Sequence, residues 1–180
     1  MTMTMISRAL LTLAIPAGIT GALGSPVASA KVTISGAASM RYSEQHALPL
    51  AQSGSPVLLL NEATGTNRNT GKADYMSGAD VTTREIADLI QGNGVHRGYL
   101  SLGKGADSTV SQWQGKVVTT LGADHQPNTN FEGTWTMMRG TGKYDGVSGA
   151  GSYKGRMLSP TEYTLEWSGE IEVRQRAASR

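Results

Sequence analysis

Residues 161–173 read TEYTLEWSGEIEV, and no other stretch of the chain limits the possible folds as tightly. Tyr163, Leu165, Trp167, Gly169, Ile171 and Val173 share one parity, while Glu162, Thr164, Glu166, Ser168, Glu170 and Glu172 share the other. Side chains on a strand point alternately to opposite faces, so this pattern specifies an extended segment with one apolar and one solvated side. A helix would scatter both sets around its circumference. The segment is also long for a strand, whose usual length is about 5–6 residues. Long amphipathic strands suit barrels, where each strand tilts and wraps around the interior.

Shorter segments repeat the alternation. WQGKVVTTL places Trp113, Gly115, Val117, Thr119 and Leu121 on one side; FEGTWTM does the same for Phe131, Gly133, Trp135 and Met137. GSYKGRM adds Gly151, Tyr153, Gly155 and Met157, and VTISG, VLLLN and GYLSL are further strand candidates. Turn signals separate them at Gly103-Lys104-Gly105, from Ala123-Asp124 through Pro127-Asn128, and at Ser159-Pro160. Glycine, at 23 residues, is well above its usual share of about 7% and is spread at turn-like intervals. The expectation is an all-β chain of antiparallel neighbours, in a sandwich or a barrel. TTREIADLIQGNG fits two readings. Thr82 as N-cap, Glu85 three residues on, and Ile86, Leu89 and Ile90 on one face describe a helix. A strand ending in an Asn93-Gly94 hairpin turn is the other.

Residues 1–30 lie outside this pattern. One positive charge at Arg8, an apolar run from Ala9 broken at Pro16, and the small-residue ending Ala28-Ser29-Ala30 predict a cleavable signal peptide. The uninterrupted apolar part is shorter than the roughly 20 residues of a spanning helix. Cleavage would leave Lys31 first and residues 31–180 as one domain, secreted or periplasmic and without a membrane anchor. A lone Arg8 does not make a twin-arginine signal. With no cysteine, such a domain must be held by its core instead of by disulfides. The chain has 16 Lys and Arg against 14 Asp and Glu, and Arg8 is the only charge in 1–30, so the rest carries +1. There is no basic cluster, which argues against nucleic acid as a partner.

RGTGKYDGVSGAGSYKG, residues 139–155, invites a phosphate-cradle reading. A dinucleotide fingerprint would need the third glycine sooner than Gly146 and an amphipathic helix after it. GYLSLGKG resembles a P-loop, but Gly105 stands where a magnesium-binding Ser or Thr is required. The run instead suits a barrel corner: Gly140 and Gly142 end a strand, Tyr144 tucks under the closure, and Gly149, Gly151 and Gly155 permit bending and close approach.

The block from Phe131 to Val173, with the upstream EQHALPL, GNGVHRGYL and WQGKVVTTL, resembles small exported bacterial proteins of the allene-oxide-cyclase-barrel, or calycin-like, group. The resemblance spans nearly all of residues 31–173 and is most specific between Phe131 and Gly155. It implies a single eight-stranded antiparallel barrel with a central cavity, and an extended wall strand at TTREIADL. Members of the wider group include plant cyclases acting on a fatty-acid epoxide and bacterial cyclases of polyketides. Their catalytic residues are not carried over to positions of this sequence, so no catalytic residue is assigned.

Several groups of residues are candidate sites in such a barrel. His46, His96 and His125 show no metal-like spacing, and no metal or cofactor is expected. No G-x-S-x-G elbow is present. Glu162, Glu166, Glu170 and Glu172 read as a solvated exterior, pairing with Lys154 and Arg156 across strands. The aromatic face of Trp113, Phe131, Trp135, Tyr153, Tyr163 and Trp167 is either core filling or the lining of a cavity for a small, largely apolar molecule. His96, Arg97 and Tyr99 are candidates for the rim, although VHRGYLSL carries apolar residues in both phases. Three functions follow: a ligand-binding barrel, a cofactor-free cyclase or isomerase requiring an inward polar group, and a solid envelope protein.

Overall fold

The computed structural model describes residues 29–50 and 54–174. Eight strands follow one another: β1 (Ser29–Pro49), β2 (Pro56–Asn69), β3 (Asp80–Ile90), β4 (Asn93–Lys104), β5 (Asp107–Leu121), β6 (Pro127–Thr141), β7 (Ser148–Met157) and β8 (Glu162–Arg174). Each pairs antiparallel with its sequence neighbour, and β1 pairs with β8 from Ser29↔Arg174 to Arg41↔Glu162, closing the sheet into a barrel. The predicted signal peptide lies outside the described residues except for Ser29 and Ala30, which already belong to β1.

In β8 the two faces separate as the alternation requires. Tyr163, Leu165 and Ile171 are buried, whereas Glu166 and Glu170 meet solvent. Outside the wall Lys154 lies 3.2 Å from Glu166, Lys31 lies 3.9 Å from Glu172, and Glu162 pairs with Arg41. Exposed pairs of this kind contribute about 0–1 kcal/mol each.

The TTREIADL segment is wall strand β3, as the family resemblance implied. Its helical face breaks up: Leu89 turns inward while Ile86 and Ile90 stand 48% and 53% exposed outside. The hairpin turn falls one residue pair before the expected Asn93-Gly94. Ile90 pairs with Asn93, and Gln91 (φ 52°) and Gly92 (φ 75°) form the turn. Two consecutive left-handed residues match the right-handed twist of the flanking strands. Leu121, expected on the inner face, is 71% exposed at the end of β5.

The aromatic residues and the glycines form one system. A Cβ built on Gly36 would lie 2.2 Å from the Trp167 ring; one on Gly151 or Gly169 would lie 2.5 Å from Trp135, and one on Gly155 2.3 Å from Phe131. Gly98 and Trp113 stand in the same relation, as do Gly115 and Gly133 with Tyr153. Each ring, or for Tyr153 its hydroxyl, reaches over another strand at a place where that strand has no side chain. The strand glycines therefore make room for the large interior residues.

The two ends of the barrel differ. At the end where β2 meets β3 and β6 meets β7, Tyr75, Met76, Ala79, Tyr144 and Val147 are buried beneath the wall. The Tyr75 ring packs edge-on against Tyr144 at 5.3 Å and Trp167 at 5.6 Å, and its hydroxyl is 3.0 Å from Thr109 Oγ1. The buried Asn67 amide donates to the Met76 carbonyl at 2.8 Å while its oxygen accepts from Trp167 Nε1 at 3.1 Å. This holds Met76 at φ 52°, a left-handed conformation costly for a residue with a side chain. The end is plugged.

Burial raises the Tyr75 phenol from 10.0 to about 12, against a smaller lowering by its bond to Thr109. The folded protein therefore keeps a proton that the unfolded chain loses above pH 10. Stability is unaffected below that pH and falls as pH rises toward 12, by about 1.4 kcal/mol per pH unit from this residue. Tyr42, Tyr153 and Tyr163 are raised too and act in the same direction. Base titration should show tyrosinate absorbance from these residues only together with loss of the far-ultraviolet β signal. Stepwise ionisation in a folded barrel would contradict that burial.

Candidate functional site

The interior holds a cavity of about 270 Å³ that runs from the plug toward the hairpin end. Near the mouth its wall includes Gln45, Leu59, Leu89, Thr119 and Met157. All six aromatic residues singled out in the sequence line it: Trp113, Phe131, Trp135, Tyr153, Tyr163 and Trp167. The volume falls just below the span of typical ligand sites, roughly 300–1,000 Å³, and so suits only a small guest.

The carboxylate and the imidazole of the lining, Glu85 and His96, meet in one cluster. On β3 the inward phase runs Val81, Thr83, Glu85, Ala87, Leu89, so the period that builds an apolar wall also brings a carboxylate inside. Glu85 is 9% exposed. Adjacent β4 turns His96 inward in the same way, and it is 5% exposed. His96 Nδ1 lies 2.7 Å from Glu85 Oε1, and His96 Nε2 lies 3.0 Å from the Tyr153 hydroxyl on β7. Asn61 Nδ2 on β2 donates to Glu85 Oε2 at 3.1 Å, and the Tyr42 hydroxyl points at the same oxygen from 3.5 Å.

With Glu85 as a carboxylate, one arrangement of protons satisfies every contact in the series. A carboxylate already accepting from Asn61 takes Nδ1–H from the imidazole, which leaves Nε2 as the acceptor for the Tyr153 O–H. The chain Glu85–His96–Tyr153 thus orders a carboxylate, an imidazole and a phenol in single file. Aromatic rings surround it: Trp113 meets His96 edge-on at 4.8 Å, and Phe131 at 5.7 Å. The Trp113 indole N–H is committed to Thr83 Oγ1 at 3.2 Å. Burial, then the Glu85 charge, pushes the Tyr153 phenol well up; burial, then Tyr42 and Glu85, does so for Tyr163. Both are neutral O–H groups throughout the physiological range. The buried Asn61 Oδ1 and Trp135 Nε1 have no hydrogen-bond partner among the described residues.

His96 was a rim candidate; it lies inside. Arg97 and Tyr99 are not rim residues either, since both are exposed on the outer wall of β4. His46 is exposed on β1, 3.7 Å from Glu44, and His125 is exposed in the β5–β6 connection. Among the described residues no group of three His, Cys, Asp or Glu is placed to hold a metal ion. Asn61 and Tyr42 were not singled out in the sequence, and Glu85 entered only the helical reading of TTREIADLIQGNG, not as a site residue. Their signal was the parity of β1 for Tyr42, β2 for Asn61 and β3 for Glu85, the last readable only when β3 is fixed as a strand.

No family model matches the chain, and no curated protein matches it. Among solved structures, that of the pterocarpan synthase dirigent protein GePTS1 is similar, with a TM-score of 0.47 and 7% sequence identity, over 89% of this chain and 98% of that one.

Proposed function

We propose that this chain is an exported barrel that binds a small, largely apolar molecule in its central cavity. The observation that carries the reading is the interior space of about 270 Å³, walled by aromatic and aliphatic side chains and reached from the hairpin end. Removing apolar surface from water drives binding at roughly 25 cal/mol per Å² buried, and the polar cluster orients the guest. Export rests on the leader-like residues 1–30; cleavage after Ala30 would trim the first two residues of β1. N-terminal sequencing of protein recovered from the envelope or medium tests this, with Lys31 as the expected first residue.

Titration with N-phenyl-1-naphthylamine, whose emission rises in apolar surroundings, tests the cavity. Saturation at one dye per barrel is expected. Leu89→Trp places a ring in the mouth and should weaken binding by about tenfold or more, equivalent to about 1.4 kcal/mol. Equal binding by both proteins would put the dye on the outer surface and remove the support for a binding cavity.

A second reading, a cofactor-free isomerase or cyclase, is favoured by the Glu85–His96–Tyr153 chain. A vessel that only stores an apolar molecule has no need of a buried acid–base series, and burying those groups costs stability.

A further inference from the structure

We infer that the Glu85–His96–Tyr153 chain is a proton relay acting on a small apolar ketone or aldehyde with a hydrogen on the carbon beside its carbonyl, and that Tyr153 is the catalytic residue. The inference rests on the reading that the cavity admits a ligand. Three observations support it. Glu85, His96 and Tyr153 all line the cavity, but Tyr153 ends the hydrogen-bonded series, 3.0 Å from His96 Nε2, and is half-buried where His96 and Glu85 are buried, so it is the member placed to meet a guest. Behind it, His96 is held in one tautomer by Glu85 at 2.7 Å, and Glu85 is itself anchored by Asn61 at 3.1 Å. The surrounding wall is apolar, which strengthens such charge-assisted bonds.

In the step, the ligand C–H bond breaks and its proton forms an O–H bond to Tyr153. The phenol's own proton passes at the same time to His96 Nε2. The electron pair left on carbon forms the new C=C bond, and the carbonyl π pair moves to oxygen as an enolate. Tyr163, another phenol of the cavity wall, donates to that oxygen. The imidazolium formed is balanced by the Glu85 carboxylate. Returning the proton to the same or a conjugated carbon regenerates the site, so the net change is isomerisation, with nothing oxidised or reduced. Because one proton leaves Tyr153 as another arrives, no tyrosinate stands in the apolar wall. His96 and Glu85 act through Tyr153 as positioning and relay residues.

The test uses β-tetralone, a compact bicyclic ketone, in deuterium oxide, following loss of its benzylic α-proton signal by NMR. Binding is measured in parallel by quenching of tryptophan fluorescence. The full barrel should speed the exchange, and Tyr153→Phe should lower that rate by about a hundredfold while leaving the dissociation constant within about threefold. His96→Ala should lose the rate similarly and regain part of it when imidazole is added, which a merely structural role would not produce. Should His96→Ala fail to fold, His96→Gln and Tyr153→Phe carry the comparison. Binding of β-tetralone with exchange no faster than in buffer, or equally fast in Tyr153→Phe, overturns the relay and leaves the binding reading standing. Failure of both β-tetralone and the naphthylamine dye to bind overturns the two together.

Discussion

Trp135→Ala is expected to destabilise the barrel by about 3–5 kcal/mol, the range for emptying a large aromatic from a packed interior. Trp135 is 8% exposed and lies across β7 and β8, directly over Gly151 and Gly169. Those glycines have no side chains with which to refill the space. The neighbouring large rings already cover glycines of their own: Trp113 over Gly98 and Phe131 over Gly155. The void would therefore stay open, which places the loss at the upper part of the range. Denaturant unfolding by circular dichroism measures it. A loss below about 1 kcal/mol would mean that the ring is replaceable and that the glycine–aromatic fit contributes little. Because the indole N–H lacks a partner among the described residues, Trp135→Phe should recover most of the stability.

Filling the other half of the same contact should do more harm. In Gly151→Val, the first added carbon would sit 2.0 Å from the Ser168 carbonyl oxygen and 2.5 Å from the Trp135 ring. A flexible side chain could rotate away, but the Ser168 carbonyl belongs to β8, whose partner on the far side is β1. Separating β7 from β8 to make room opens the closed sheet. Ordinary overpacking costs about 1–3 kcal/mol. A clash with backbone on one side and a locked indole on the other should exceed that, enough to abolish cooperative folding in a domain whose net stability is about 5–15 kcal/mol. Gly151→Val is expected to be recovered as insoluble or molten protein. The paired change Gly151→Ala with Trp135→Leu keeps the contact with the Ser168 carbonyl but relieves the one with the ring and omits the valine methyls, so it should restore only part of the unfolding transition. A well-folded Gly151→Val with unchanged midpoint would overturn the account of why glycine recurs in these strands.

The wall could be read from the sequence where one strand face is uniformly apolar. Thr161–Val173 is the best case, because Tyr163 and Glu166 differ enough in polarity for parity alone to orient them. The same rule failed at β3, where Ile86 and Ile90 are outside and Glu85 inside. Apolar residues in both phases imitate a helix, and only pairing with β2 and β4 decides the matter. The functional cluster inherited that difficulty. Glu85, Asn61 and His96 come from three strands whose order along the chain says nothing of their shared depth in the barrel. That depth is set by register, Asn61 opposite Glu85 and His96 opposite Ala87. Register depends on turn geometry at Gln91-Gly92, one residue pair from where the Asn-Gly signal placed it. The aromatic lining was accessible sooner because bulky rings and glycines mark the interior wherever they occur.

Strand β1 has one more consequence. Its pairing with β8 stops at Arg41, and a bulge near Ser43 carries the strand onward to Pro49 with β2 on one side only. Closure hides backbone amides and carbonyls along the shared height of the wall, but this overhang leaves one flank of them to solvent. Leu48, 68% exposed, stands on it, with Glu44 and His46 lower on the same ledge. A foreign strand seeking a template would meet an unfinished ladder there, so self-association in concentrated solution should begin at this overhang, restrained mainly by the charge of Glu44.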